Sequence, residues 1–449
     1  MSKYKLRNGA LDILERIEQG GFSHLLIDNV IKSGQIDSKD EGLLTEIVYG
    51  TVQRRLTLDY VIESYVKNPS KMKKWVINLL RMSIYQMVYL DRVPDHAIIH
   101  EAVEIAKQRG HKGIASLVNG VLRTVQREGM PDVQKISDPV TRLAIETSTP
   151  EWLISRWVKE YGYDTALEMG MENLRKRPLT VRVQPLRIKR EDALNELKAE
   201  GYEVSPSLFS EQGIIVEKGN ILKSRLFKEH LITVQDQSSM LVGEMLDVQP
   251  GMRVLDACSA PGGKTTHIAE KMQNDGEVFA FDIHDKKAKL VKNKAGELGL
   301  SIISAEGHDA RKLQDKFSPE SFDRVLVDAP CSGIGVVRGK PDIKYNKQES
   351  DIYNLARIQE DILDSIAPLL KKGGKLVYST CTVDKAENEE IVQKFLEKHS
   401  DFEVDQQFFK ELPEPVIEAE GISENGLQLF PQSFGTDGFF LVRLCKKQG

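Results

Sequence analysis

The chain has 449 residues, 40% hydrophobic and 29% charged, with a formal net charge of −5. This is the make-up of a soluble globular protein of about three domains at roughly 150 residues each. No apolar run approaches the ~18 residues of a membrane span. No signal-peptide core follows the N-terminus, and four scattered cysteines without a CxxC pair argue against a disulfide framework or a metal site. The expectation is a cytoplasmic protein without metal, by default a monomer.

Residues 1–130 read as helices. Leu11, Leu14 and Ile17 recur at helical spacing, as do Leu43, Ile47 and Gly50. "WVINLLRMSIYQMVYL" (Trp75–Leu90) is apolar nearly all round and predicts a central buried helix. "VPDHAIIHEAVEIAK" predicts a helix after Pro94, with Asp95 as its cap. "ASLVNGVLRTVQRE" predicts a last amphipathic one. Residues 51–130 hold 13 Lys+Arg against 7 Asp+Glu, an excess of 6 on subtraction. That excess suits either a phosphate-facing surface or an ordinary solvated helical face.

Residues 131–235 open with a polar, proline-bounded linker, "GMPDVQKISDP". A helix at "TPEWLISRWVKEYG", a strand at Thr180 to Val183, a helix at "REDALNELKAEG" and strands "GIIVEKG" and "HLITVQD" predict a small α+β, RRM-like domain. Arg175, Lys176 and Arg177 form either an RNA contact or an exposed loop.

From 236 to 449 strands alternate with helices: "MRVLDAC", "GEVFAFDI", "SIISAEG", "DRVLVDAP", "GGKLVYSTC" and "GFFLVRLC" are the strands. The pattern predicts an α/β, doubly wound Rossmann-like sheet, whose ligands sit beyond the carboxyl ends of the strands.

The first strand runs into "DACSAPGGKTTHIA" (Asp256–Ala269). A phosphate-binding loop would need glycine where Cys258 stands, so "GGKTT" does not predict an ATPase, and the dinucleotide pattern is also absent. Asp282, Asp309 and Asp328 follow the next three strands. Acids in these places can take ribose hydroxyls and an adenine amino group. A single one is commonly a helix cap. Three together with a glycine turn and no diphosphate cradle predict an adenosine-bearing methyl donor, S-adenosylmethionine.

Cys331 and Cys381 end neighbouring strands over the same crevice, and Cys258 lies beside the glycine loop. A lone cysteine of this kind is usually a small buried hydrophobe. Beside a methyl donor, however, a thiolate has a specific use. Addition to carbon 6 of a pyrimidine makes carbon 5 nucleophilic, provided the base is unpaired or flipped out. The chemistry requires one thiolate and does not say which.

"DACSAPGGKTTHIA", "AFDI", "GHDAR", "VDAPCSGIGVVRGKPDIK", "YSTCTVDKAENEEIV" and "GTDGFFLVRL", with "VQDQSSM" upstream, resemble the Sun/Fmu family of RNA cytosine-5 methyltransferases. "DHAIIHEAVEIAK" and "LVNGVLR" are similar to the helical NusB-like RNA-binding domain fused to that core in bacterial 16S rRNA methyltransferases. The resemblance implies a multidomain fold: an all-α NusB-like domain (1–130), an α+β domain (131–235) and a class I methyltransferase domain (236–449). It implies S-adenosylmethionine as cofactor and 16S rRNA as partner, naked or in an assembling subunit. Cys258, Ser259, Ala260, Pro261, Gly262, Gly263 and Lys264 would form the cofactor loop. Asp282, Asp309 and Asp328 would line the cofactor crevice. Cys381 would be the nucleophile and Cys331 would assist product release. Ser259 and Gly339 depart mildly from the family pattern, and neither removes a reactive group. An assembly factor that has lost the chemistry is the competing reading, as is a methyltransferase for tRNA, large-subunit rRNA or DNA.

Overall fold

The computed structural model describes residues 5–34 and 36–448. The chain forms two compact units. One comprises the residues up to Lys176 together with Val337–Lys347; the other comprises Arg177–Val336 and Gln348–Gly449. The stretch 131–235, one section in the sequence reading, is thus divided at Lys176.

The first unit is helical. Lys74–Tyr89 runs through its middle with Asn78 to Gln86 all buried, as its all-round apolarity predicts. Lys5–Glu18, Glu41–Gln53 and Arg55–Tyr65 pack their apolar faces on it, and Lys112–Glu128 adds Val118, Val121, Leu122 and Val125. Charges that enter this core are paired: Arg7 donates to Gln86 (2.8 Å) and Glu101 (2.7 Å). Arg81 forks onto Asp59 (2.6 and 2.9 Å) and reaches Glu18 (2.5 Å), so its buried guanidinium is paired. Asp95 is not the expected cap: Pro94 holds that position, and the Asp95 carboxylate accepts from Gln126 Nε2 at 3.2 Å. Pro139–Glu146 starts with proline at its first turn and is capped by Asp138, which accepts from Thr141 N (2.7 Å).

Val337–Lys347 packs within this unit. Arg338 pairs with Glu172 (2.6 Å), Tyr345 donates to Ser148 O (2.9 Å), and the buried Lys344 ammonium donates to Gln53 O (2.9 Å). The basic excess of 51–130 separates into two groups. Arg81 and Arg109 are spent on internal partners, Arg109 on Asp12 and Glu15. Lys67, Lys71, Lys73 and Lys74 stand exposed around the turn at Pro69–Lys71.

Among the described residues all thirteen strands lie in the second unit. β1 (Leu179–Val183), β2 (Glu203–Pro206), β3 (Gly213–Lys218) and β4 (Ile232–Val234) form an antiparallel sheet of order β2-β3-β1-β4. Val181 and Val183 face its core with Ile214, Val216 and Leu197. The alternate residue, Arg182, points to the other face. Arg177, one of the basic triplet, pairs with Asp236 (3.0 Å) and Asp437 (2.9 Å).

The large sheet holds β5 (Arg253–Asp256), β6 (Glu277–Asp282), β7 (Ile303–Gly307), β8 (Phe322–Asp328), β9 (Leu370–Thr380), β10 (Phe402–Val404), β11 (Ile422–Ser423), β12 (Gly426–Leu429) and β13 (Phe439–Lys446). Its order is β11-β12-β13-β9-β8-β5-β6-β7, with β10 paired to β13. The five strands from β7 to β9 run parallel; β13, β12, β11 and β10 are antiparallel additions. Buried residues of both faces form the cores of an α/β layer, with Val325, Val327, Leu376 and Tyr378 on one side and Val254, Leu326, Val377 and Leu441 on the other. The expected α/β sheet is present, and the short β10, β11 and β12 are additions that the sequence reading did not name. Strand order reverses between β5 and β8, so a crevice opens there beyond the carboxyl ends.

Candidate active site

Five strands, β5 to β9, deliver the site's side chains to that crevice. β5 ends at Asp256 and passes into a tight turn. Ser259 donates from N (2.7 Å) and Oγ (2.9 Å) to Phe281 O at the end of β6, and Gly262 N closes back on Ser259 O (2.8 Å). Gly262 has φ +100°, and a Cβ there would meet Val291 Cα at 3.1 Å, so only glycine suits the turn. The helix Gly263–Lys271 starts directly after it. Cys258, Ser259, Ala260, Pro261, Gly262 and Gly263 therefore form one loop at the crevice. Lys264, expected with them, turns its ammonium to Asp328 Oδ2 at 2.9 Å.

The acids differ in their commitments. Asp328 is held on both oxygens, by Lys264 and by Ser379 Oγ (2.8 Å). Asp309 caps a short turn by accepting from Arg311 N (3.0 Å) and is gripped by the Arg311 guanidinium at 2.7 Å, which keeps its carboxyl below the usual range. Asp282 accepts from His284 N at 3.0 Å through one oxygen. Asp256 is fully buried. One of its oxygens accepts from Thr265 Oγ1 (2.7 Å) and the other has no protein partner, and burial raises its pKa to about 7.

The cysteines fall into distinct environments. Cys331 follows β8 and Cys381 follows β9, and their sulfurs lie 3.4 Å apart. Sharing a proton with Cys381, burial and the nearby Glu387 and Asp328 carboxylates push the Cys331 thiol well up. Cys258 is also pushed well up, by burial and then by Asp256, Asp328, Asp282 and Asp309. Both sulfurs therefore keep their protons. The Lys264 ammonium is held charged beside Asp328, with Cys381 among the groups that favour its charge.

Sequence reasoning missed the support behind the loop. Arg182, wholly buried, pairs with Glu270 (2.7 and 2.9 Å), donates to Gly263 O (2.8 Å) and to Thr266 Oγ1 (3.0 Å), and bonds the Gln235 side chain. Its only sequence signal is a charged residue inside an apolar alternating strand. Among the described residues no group of three or more His, Cys, Asp or Glu is placed to hold a metal, and no helix is long and apolar enough to cross a membrane.

Three family models match the chain in order. They are the NusB family over 5–127, a ferredoxin-like domain of RsmF/B-like methyltransferases over 149–222, and the 16S rRNA methyltransferase RsmB/F over 243–445. A Bacillus subtilis (strain 168) protein named "Probable ribosomal RNA small subunit methyltransferase B" is 50% identical across the whole of both chains. The ribosomal RNA small subunit methyltransferase B of Serratia proteamaculans is 33% identical, covering 99% of each chain. A solved structure described as PH0851 superposes with a TM-score of 0.81 at 28% identity over 99% of both chains. That of NSun6 from Pyrococcus horikoshii with SFG shares the fold, with a TM-score of 0.60 at 22% identity over 67% of this chain and 98% of its own. The N-terminal helices are thus a NusB domain, the middle strands a small ferredoxin-like domain, and the large sheet a class I methyltransferase fold. With these three domains in order and relatives matched end to end, the chain belongs to the ribosomal RNA small subunit methyltransferase B family, whose cofactor is S-adenosylmethionine.

Proposed function

We propose that this enzyme methylates carbon 5 of a cytosine in 16S rRNA, with Cys381 as nucleophile and Cys331 assisting product release. The observation that carries this reading is the pair of thiols 3.4 Å apart at the ends of adjacent strands, beside the Lys264–Asp328 ion pair.

The crevice residues suit S-adenosylmethionine. Asp256, Asp282, Asp309 and Asp328 give the site an anionic character that matches the sulfonium and ammonium of that molecule, and the Cys258–Gly263 loop lacks the cradle a diphosphate needs. Asp282 would take the ribose hydroxyls through its less committed oxygen, and Asp309 would face the adenine. Bound there, S-adenosylmethionine supplies an electrophilic methyl group for carbon 5.

The chain's own residues supply the rest. The Lys264 ammonium favours a Cys381 thiolate by charge. That thiolate adds to carbon 6 of a flipped cytosine, and the ring electrons move to make carbon 5 nucleophilic. After methylation a base takes the carbon-5 proton, the carbon 5–carbon 6 double bond re-forms, and the Cys381 sulfur leaves. Cys331, still carrying its proton, donates to the departing sulfur and eases its release. Asp328, fixed by Lys264 and Ser379, would face the cofactor or the cytosine.

The exposed lysines around Pro69 in the NusB domain would contribute phosphate contacts. The test of the whole reading is bisulfite mapping of rRNA from cells lacking the protein. Loss of one 5-methylcytosine in 16S rRNA, restored by the wild-type gene, is expected. An unchanged small-subunit pattern overturns it.

A further inference from the structure

The two cysteines sit on separate loops, which the backbone joins through Ala329 N to Ser379 O (2.9 Å) and Gly335 N to Cys381 O (3.1 Å). A buried bracket of side chains adds a second tie. Glu387 lies in the short turn Lys385–Glu387 after the Cys381 loop and is fully buried. Its Oε1 accepts from Ser332 N (2.9 Å) and its Oε2 from Ser332 Oγ (2.5 Å). Ser332 is the residue after Cys331. The Ser332 hydroxyl also lies 2.8 Å from Thr382 Oγ1, and Thr382 is the residue after Cys381.

Gln359, from the helix Glu349–Ile366, completes the bracket. Its Nε2 spends one hydrogen on Glu387 Oε1 (3.0 Å) and the other on Pro330 O (3.0 Å), the residue before Cys331. Tyr378, in β9, donates to Glu387 O (2.6 Å). Every donor has an acceptor. Thr382 donates to Ser332, Ser332 donates to Glu387, and Gln359 ties Glu387 to the proline. A satisfied buried network of this kind admits one geometry, because each displaced group would be left unpaired in the interior.

We propose that Glu387 is a positioning residue for the methyl-transfer reaction: it clamps the residues that follow Cys331 and Cys381 and so sets the sulfur–sulfur separation. The inference rests on the reading of those cysteines as the reacting pair. Burial raises the Glu387 carboxyl, and the Ser332 and Gln359 bonds oppose that, so its role as acceptor is geometric as well as electrostatic. A glutamine at 387 preserves the bracket. Its oxygen accepts from Ser332 N and Gln359, its amide donates to Ser332 Oγ, and Ser332 turns its hydrogen to Thr382, so every tie between the loops is kept and only the Thr382 hydrogen changes partner. An alanine removes it.

The test pairs two readouts on the full chain, wild type, Glu387→Ala and Glu387→Gln. The first is methyl transfer to 16S rRNA. Displacing reacting groups by about 1 Å costs about 100-fold, so E387A should lose that in kcat with the KM for S-adenosylmethionine unchanged, while E387Q stays near wild type. The second needs no RNA: the rate at which a trivalent phenylarsenical, which bridges two adjacent thiols with release of water, captures Cys331 and Cys381. E387A should slow capture by a similar factor and E387Q should not. If E387A does not fold, Ser332→Ala serves, since it keeps the backbone bond to Glu387 and removes both hydroxyl bonds between the loops, to Glu387 and to Thr382. It should lower kcat and slow arsenical capture, and wild-type values for both would overturn the proposal. Wild-type kcat and capture in E387A also overturn it, as does an E387Q as inactive as E387A, which would make charge rather than position the function. Methyl transfer surviving in Cys381→Ala would sink the nucleophile assignment while leaving the arsenical result intact.

Discussion

The Cys331 and Cys381 sulfurs lie 3.4 Å apart, although 50 residues separate them in the chain. β8 and β9 are paired in parallel, with Asp328 opposite Ser379, so each cysteine emerges from the sheet at the same level. The roles proposed for the pair predict opposite mutant behaviour. Cys331→Ala should accumulate a protein–RNA adduct that survives denaturation when RNA and S-adenosylmethionine are present. Cys381→Ala should form no adduct and transfer no methyl group. A gel after denaturation reads both, and an adduct with Cys381→Ala instead would reverse the assignment.

Lys264 is the one cation bonded to the crevice acid Asp328 among the described hydrogen bonds. Replacing it by methionine keeps the length and removes the charge that favours a thiolate. An opposite charge within about 4–6 Å is worth about one pKa unit or more. The pH dependence of adduct formation by the Cys331→Ala protein should therefore move to higher pH in the Cys331→Ala, Lys264→Met double variant. An unmoved profile would show that Lys264 does not act on the nucleophile.

The lysines at 71, 73 and 74 are exposed on the NusB domain. Their replacement by serine should weaken RNA binding at all salt concentrations tested. The slope of log affinity against log salt should fall by about one for each lysine that touches a phosphate. Binding of S-adenosylmethionine should not change. Filter binding across a salt series checks the first point and calorimetry the second; an unchanged salt slope would remove these lysines from the RNA surface.

Lys344 is buried, and desolvation followed by Arg54 lowers its pKa to about 7. The folded protein then binds fewer protons at this site than the unfolded chain between pH 7 and the ordinary lysine range near ~10.4. Stability from this group therefore rises with pH through that window and is at its lowest below pH 7. Lys344→Met should flatten the rise in Tm between pH 7 and 9. It should also raise Tm most at pH 6, offset in part by leaving Gln53 O without its donor. Scanning calorimetry at four pH values is sufficient; a wild-type slope in the variant would show that Lys344 is not the titrating group.

The alternation of β and α segments, the glycine turn before "KTT" and the acids after successive strands were legible because local periodicity and turn chemistry are written in neighbouring residues. The same locality explains the Asp95 miss. A cap differs from the first helical residue by one position, and the sequence pattern does not resolve that shift. Arg182 was hidden for another reason. A charged residue in a strand reads as solvent-facing until a partner such as Glu270, 88 residues away, is brought against it.

The amino-acid order alone determined the fold class, the cofactor crevice and the presence of thiols at two neighbouring strand ends. Each depends on residues close in the chain or on the regular alternation of elements. Tertiary structure alone decided that burial and a neighbouring sulfur raise the Cys331 thiol, where the Lys264 charge goes, which arginines are spent inside the protein, and that Glu387 grips the residue after Cys331. Those are matters of burial and of hydrogen bonds between distant segments. Their energies depend on separations of a few ångströms, and only the packed chain sets those.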